Sequence, residues 1–253
     1  MQRYKITIEY DGRPYYGWQR QDKFPSVQQA LEEAASKLDG APVTVMGAGR
    51  TDRGVHATGQ VAHFDLQTPR PIKKIPDALN FHLRPHPVQV LAAEEVEADW
   101  HARFYATHRA YRFVIINRRA GLTFDRGVAW RVPVPLDAGA MDRAAQALVG
   151  LNDFSTFRDA ECQAKTPVKT LNKINVARYG EGLEVTVEAR SFLHKQVRSM
   201  VGSLVEVGRG ARGEDWIGEI LEAKSRPSCG PVAPPDGLFL ERVEYGPREE
   251  ILS

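Results

Sequence analysis

The chain has 253 residues, 42% of them hydrophobic, with 34 basic and 32 acidic side chains and a net charge of +2. That length carries one large domain or two ordinary ones with ample core, and that composition excludes disorder as the default state. Two cysteines, Cys162 and Cys229, stand far apart and outside any C-x-x-C pattern, which excludes a disulfide framework and argues against a zinc–thiolate site.

At the N-terminus Tyr4–Tyr10 alternates apolar and polar residues and ends at Asp11-Gly12, the pattern of a strand and turn. Met1-Gln2-Arg3 leads into it without the apolar stretch of a signal peptide, and no apolar run approaches a membrane span, so the expected location is cytoplasmic. Ser26 and Gln29 form a capping box for a helix whose apolar stripe is Val27, Ala30, Leu31, Ala34, Ala35 and Leu38, with Gly40 just past its end. Strands are expected near 43–46 and 58–66, a short helix over 75–83 and a strand over 88–92. The order is β-α-β-β-α-β.

The second half repeats it. Strands are expected over 110–117, 171–178 and 183–189, the last two joined by Tyr179-Gly-Glu-Gly182. Helices are expected over 136–149, 192–207 and 215–224, before a final strand over 238–245. The reading is an α+β protein of two ferredoxin-like halves, residues 1–108 and 109–253. Loops at 118–136, 150–169 and 225–237 exceed ordinary connections and are read as functional surfaces.

Charge is unevenly spread along this order. Between Trp100 and Phe124 lie Arg103, Arg109, Arg112, Arg118 and Arg119 without a single acid, and between Ala189 and Val205 lie Arg190, Lys195 and Arg198, again without one. Two basic stripes on a nearly neutral chain predict a local footprint for phosphates.

The stretch Gly47–Phe64, GAGRTDRGVHATGQVAHF, carries one carboxylate, Asp52, between Arg50 and Arg53. Gly47-x-Gly49 lacks the G-K-[ST] of a phosphate loop and leads into a strand. His56 and His63 have no ligand motif around them, so no metal is expected, and Asp52 has no acidic neighbour within ten residues for paired-carboxylate chemistry. Taken singly, the candidates have ordinary readings that spacing favours. Asp52 beside Gly54 is an Asx-turn or cap, Tyr111 shares a strand face with Phe113 and Ile115, and Arg198 is a solvated helix flank. The sharper readings are a lone nucleophilic or proton-shuttling carboxylate, a base-stacking ring and an ion-pair partner.

Taken together, the segments decide differently. YDGRPYYGWQRQ (10–21), SVQQALE (26–32), GAGRTDRGVHATGQVAHF (47–64), RAYRFVIIN (109–117), DFSTFR (153–158) and SFLHKQVRSMVGSLVEVGRG (191–210) occur in order over nearly the whole chain. They resemble the tRNA pseudouridine synthase A family, with Arg53 and Arg84 departing from the residues usual there. The resemblance implies isomerisation of uridine to pseudouridine at positions 38, 39 and 40 of the tRNA anticodon arm, in a homodimer, with neither cofactor nor metal and with a basic cleft between the halves. It implies that Asp52 acts on the ribose, at C1′ or by removing a sugar proton, and that Arg198 keeps that carboxylate ionised and aimed. It further implies that Tyr111 stacks on the uracil and helps remove the C5 proton, while Arg50 fills the space left by the flipped nucleotide. Arg53, Arg109, Arg112, Arg118, Arg119 and Lys195 are the expected RNA contacts. Two rivals stand beside this reading, a non-catalytic RNA-binding module and a metal-dependent nuclease or phosphatase. A bare carboxylate facing phosphates counts against the first, and the poverty of clustered acids against the second.

Overall fold

In the computed structural model, which describes residues 1–246, ten strands and five α-helices form a mixed α+β fold. The chain divides into two compact units, Met1–Thr107 with residues 240–246, and His108–Phe239. Residues 247–253, which the sequence reading counts with the second half, lie outside the described residues.

In the first unit β1 (Gln2–Tyr10) lies between β4 (Val88–Val96) and β3 (His56–Leu66), antiparallel to both, with Tyr4 opposite Phe64 and Ile6 opposite Ala62. Its alternation buries Tyr4, Ile6 and Ile8 to 1% exposure or less. Each such side chain contributes roughly 1.5–3 kcal/mol of transfer free energy, so a one-residue slip of this strand is strongly disfavoured. Helices α1 (Val27–Asp39) and α2 (Ile75–Leu83) pack against one another. The Ser26 hydroxyl accepts from the Gln29 N–H at 3.2 Å, as the sequence predicts, but the Gln29 amide donates onward to Glu33 at 2.9 Å. Half of the capping box is therefore used. Gly40 closes the helix in the left-handed region, its N–H donating to the Ser36 carbonyl.

The strand expected near 43–46 shrinks to β2 (Met46–Gly47), paired with β3. The cause is competition from α1. The Ser36 hydroxyl accepts from the Val43 N–H, Glu32 accepts from the Val45 N–H, and Gln28 donates to the Val45 carbonyl. With those backbone groups satisfied by helix side chains, no ladder partner is needed.

The second unit is built on the antiparallel series β5 (Ala106–Ile116), β9 (Gly182–Ala189), β8 (Val168–Tyr179) and β7 (Gly150–Asp153), with Tyr111 opposite Val187. Short β6 (Trp130–Arg131) runs parallel to β5, and both it and β7 fall in segments the sequence reads as loops. The helices are α3 (Ala138–Ala145), α4 (Gln196–Gly208) and α5 (Trp216–Glu222). The helix expected over 136–149 is shorter because the Asp137 carboxylate caps it at Ala140 N–H and its last turn tightens to a 3-10 turn over Gln146–Leu148. The helix expected from 192 starts at Gln196. Lys195 sits at φ 58°, and the Gln196 side chain accepts from the Leu193 N–H at 2.8 Å, fixing a bent entry. Strand β10 (Leu238–Tyr245) begins in this unit and continues into the first.

Candidate catalytic site

Asp52 lies on the connection between β2 and β3, and that connection is anchored at most of its positions. The Ala48 N–H donates to the Val61 carbonyl at 2.7 Å, and Gln60 donates to the Gly49 carbonyl at 2.9 Å. Buried Thr51 shares a hydrogen bond of 2.8 Å with the Tyr10 hydroxyl, while its carbonyl accepts from the Trp18 N–H at 3.0 Å. The turn closes when the Val55 N–H donates to the main-chain oxygen of Asp52 at 3.1 Å. Thr51 and Val55 are thus buried pins, and half-buried Asp52 is held between exposed Arg50 and Arg53.

A second layer supports the loop. Residues 15–18 run beneath it, the Gly54 N–H donating to the Tyr15 carbonyl at 3.4 Å. Gly17, at φ +96°, comes so close that a Cβ there would lie 2.6 Å from the Thr51 oxygen and 3.2 Å from the Asp52 carbonyl carbon. The Arg53 guanidinium, an expected RNA contact, lies 4.0 Å over the ring of Tyr16. Tyr16 stacks in turn on Phe24 at 4.1 Å and 12°. That three-plane stack was not visible in the sequence, although YYGW and Phe24 supplied its rings.

Neither histidine weighed as a metal ligand belongs to a ligand cluster among the described residues. His56 Nδ1 accepts from the Gly12 N–H at 3.1 Å beside the Asp11 carboxylate. His63 Nδ1 accepts from the Ala102 N–H at 3.2 Å, and burial, reinforced by His101 and Arg3, pushes its pKa down to about 4.

In the second unit Tyr111 is 9% exposed on β5 and meets Phe192 edge-on, ring centres 5.2 Å apart at 88°. Phe113 and Ile115, two and four residues on, are fully buried, so Tyr111 ends their row. Arg198 is half-buried on α4. Its Nε donates to the Ala233 carbonyl at 2.8 Å, and its own carbonyl accepts from the Ala233 N–H at 3.0 Å. Nearby on α4, a Cβ on Gly202 would fall 1.8 Å from the Pro231 oxygen, so the segment 230–233 lies directly on the helix. Arg198 is therefore braced by main chain from both directions.

The remaining cations differ in what they already hold. Buried Arg109 donates to the Arg190 carbonyl. Arg112 lies 3.6 Å from Glu184 and 4.9 Å over the Phe239 ring. Arg118 pairs with Glu181 at 3.1 Å and donates to the Gly121 carbonyl, whereas Arg119 is exposed. Lys195 Nζ pairs with Asp159 at 2.8 Å. Burial raises the Asp159 carboxyl, but Lys195 and the Glu161 N–H outweigh it and hold it below the usual carboxylate range. Asp159, Glu161 and His194 offer metal-ligand atoms within 4.8 Å of one another, a grouping the sequence reading missed because the three are split between two segments. A cation there would compete with the ammonium of Lys195 for Asp159.

A tRNA pseudouridine synthase family model matches residues 6–105 and 144–246. Among curated relatives, tRNA pseudouridine synthase A of Hyphomonas neptunium is 62% identical, covering 97% of this chain and 99% of the relative. The enzymes of the same name from Maricaulis maris and Rhodopseudomonas palustris are 61% and 57% identical over the same share of this chain, covering 98% and 100% of their own lengths. On a match of that extent, the chain belongs to the tRNA pseudouridine synthase family.

Proposed function

We propose that this chain isomerises uridine to pseudouridine in tRNA, acting at positions 38, 39 and 40 of the anticodon arm. The observation that carries the reading is a half-buried aspartate, Asp52, on a loop pinned on both sides, in a chain of this family. Thr51 and Val55 fix the main chain to either side, so the carboxylate is presented at a set place. Such pre-organisation is what a reaction needs when its catalytic group must meet C1′ or a sugar proton.

The reaction breaks an N–C glycosidic bond, turns the uracil and forms a C–C bond. It has no net redox or hydrolytic change and therefore calls for no cofactor. Asp52 acts on the ribose as the base detaches. Tyr111, backed by Phe192, takes the uracil face and assists loss of the C5 proton. Arg198, braced on Ala233, supplies the positive charge that keeps the aspartate ionised. Extracting a base costs roughly a few kcal/mol, and stacking on an aromatic returns about 1–3 kcal/mol. Arg50 fills the vacated stack, and Arg53, Arg112, Arg118, Arg119 and Lys195 contribute the cationic lining, while buried Arg109 orders the main chain at Arg190. The Asp52 half is the unit of Met1–Thr107 with residues 240–246, and the Tyr111–Arg198 half is the unit His108–Phe239. The working form is a cytoplasmic homodimer; no helix among the described residues is long and apolar enough to cross a membrane.

The test is tritium release from tRNA labelled at uridine C5, run with and without EDTA. Release that survives chelation supports isomerisation. RNA cleavage abolished by EDTA would indicate a nuclease, and binding without release a non-catalytic module.

A further inference from the structure

The first unit contains a cavity of about 230 Å³ whose walls include Tyr15, Asp22, Lys23, Phe24, Glu33 and His86. It is smaller than the roughly 300–1,000 Å³ of drug-sized ligand sites and suits a single ring system. Three features define what it takes. Phe24, 43% exposed, is the open end of the Arg53–Tyr16–Phe24 stack, so a planar group entering the cavity continues that stack. Tyr15 is 2% exposed and lies 6.4 Å from the His86 ring, and its hydroxyl has no hydrogen-bond partner among the described residues. A buried donor left unmade carries an uncompensated desolvation cost, which a ligand acceptor would recover. The third feature is charge. Asp22 and Glu33 offer acceptors for N–H groups, Glu33 already taking one from Gln29, and exposed Lys23 offers an ammonium for a phosphate oxygen.

We propose that this cavity binds one unpaired, amino-bearing base (adenine, cytosine or guanine) of the RNA substrate, outside the reaction centre. The base stacks on Phe24, its ring acceptor takes the Tyr15 hydroxyl, its exocyclic amino group donates to Asp22 or Glu33, and Lys23 meets the adjoining phosphate. Burial, helped by the Asp11 charge, pushes the Tyr15 phenol up to about 12, so it remains a donor across the working pH range. Uracil has no exocyclic amine and would set carbonyl oxygens against the carboxylates, so the cavity does not compete for the reacting base. Occupancy also reaches the reaction centre, because the Tyr15 carbonyl holds the Gly54 N–H and Tyr16 carries Arg53.

The inference rests on RNA being the substrate, and its test is independent of catalysis. Fluorescently labelled tetranucleotides of C, A and U are titrated against the protein. Wild type should bind the C and A tetramers roughly ten-fold more tightly than the U tetramer. Phe24→Ala should weaken C and A binding about ten-fold, and Phe24→Trp should restore it. The Asp22→Ala/Glu33→Ala pair, both exposed, should erase the preference while strengthening U binding. Equal binding of all three tetramers, or C binding indifferent to Phe24→Ala, overturns the proposal. Spermidine alone shifting the Tyr15 and Phe24 amide resonances while the C tetramer leaves them unmoved also overturns it, since the cavity would then be a cation site. Tritium release with no base preference leaves the isomerase reading standing. Base preference without tritium release removes the isomerase reading and keeps the cavity.

Discussion

Gly17→Ala tests whether the placement of Asp52 is what the loop architecture is for. The added Cβ would lie 2.6 Å from the Thr51 oxygen, where ordinary contact begins at 3.4 Å, so one side must yield by 3.4 − 2.6 = 0.8 Å. The Trp18 N–H ties the segment 15–18 to that same oxygen, and Gly17 accepts from the Val27 N–H, which resists movement toward α1. The Asp52 loop is the element that moves. A misplacement near 1 Å costs about 10²-fold in rate, so kcat measured by tritium release should fall by about that factor. An L-residue at φ +96° adds about 1–3 kcal/mol of strain, visible as a lower urea midpoint. Gly40→Ala is the matched control. Gly40 sits at φ +79° with nothing within 4 Å of an added Cβ, so it should lose about 1–2 kcal/mol of stability and keep its rate. Gly17→Ala with kcat within two-fold of wild type refutes the reasoning. So does an equal loss in Gly40→Ala, because general destabilisation would then explain both.

Asp52→Asn should abolish product while tRNA affinity stays within a few-fold of wild type, measured by quench and filter binding on protein free of host enzyme. Tyr111→Phe keeps the edge-on contact with Phe192 but removes the hydroxyl, so binding should persist while tritium release slows by at least ten-fold. Below pH 6.5 the unfolded chain protonates His63 while the folded protein does not until about pH 4, so this residue's contribution to stability falls as pH drops through that window. The loss should approach roughly 3 kcal/mol in urea titrations, and His63→Gln should flatten it. Replacing Arg119 with Ala should reduce the slope of log K against log salt by about 0.7–0.9, and replacing Arg118 should change it far less. Glu181→Gln, which releases Arg118 from its ion pair, should steepen the slope.

The elements that sequence reading located well are those with a local cause. Strand β1 announces itself by alternation, and α1 by Ser26, its stripe and Gly40. The misses share a non-local cause. Residues 43–45 have strand-like composition, but side chains of Gln28, Glu32 and Ser36 take their backbone bonds, and nothing within 43–45 signals that. Strands β6 and β7 are short additions to edges that exist only after β5 and β8 have formed. The late start of α4 depends on one left-handed lysine and one glutamine reaching back to Leu193. At the candidate site, spacing alone reads Asp52 as an Asx-turn or cap, and only the ordered family segments single it out as a catalytic candidate. Its support was not legible, because Tyr10, Tyr15, Gly17 and Trp18 lie more than thirty residues away in the chain.

Charge follows the same division between what a sequence lists and what a fold leaves available. The stripe from Trp100 to Phe124 contains five arginines and no acid, which in sequence reads as five phosphate contacts. In the folded chain the acids come from elsewhere. Glu184 on β9 meets Arg112, and Glu181 at the turn before β9 meets Arg118, because β9 pairs with β5. Arg109 is drawn inward onto a carbonyl, where its charge orders main chain. An exposed ion pair contributes only about 0–1 kcal/mol, so Arg112 and Arg118 exchange partners cheaply when a phosphate arrives. Each exchange frees a carboxylate that repels the RNA, however, and the net charge gained is smaller than the count of arginines suggests. The residues that should govern salt dependence are therefore those whose cations meet solvent without a carboxylate from the neighbouring strand. Arg119 meets that condition by its exposure, and its position one residue beyond Arg118 would not have separated the two in sequence.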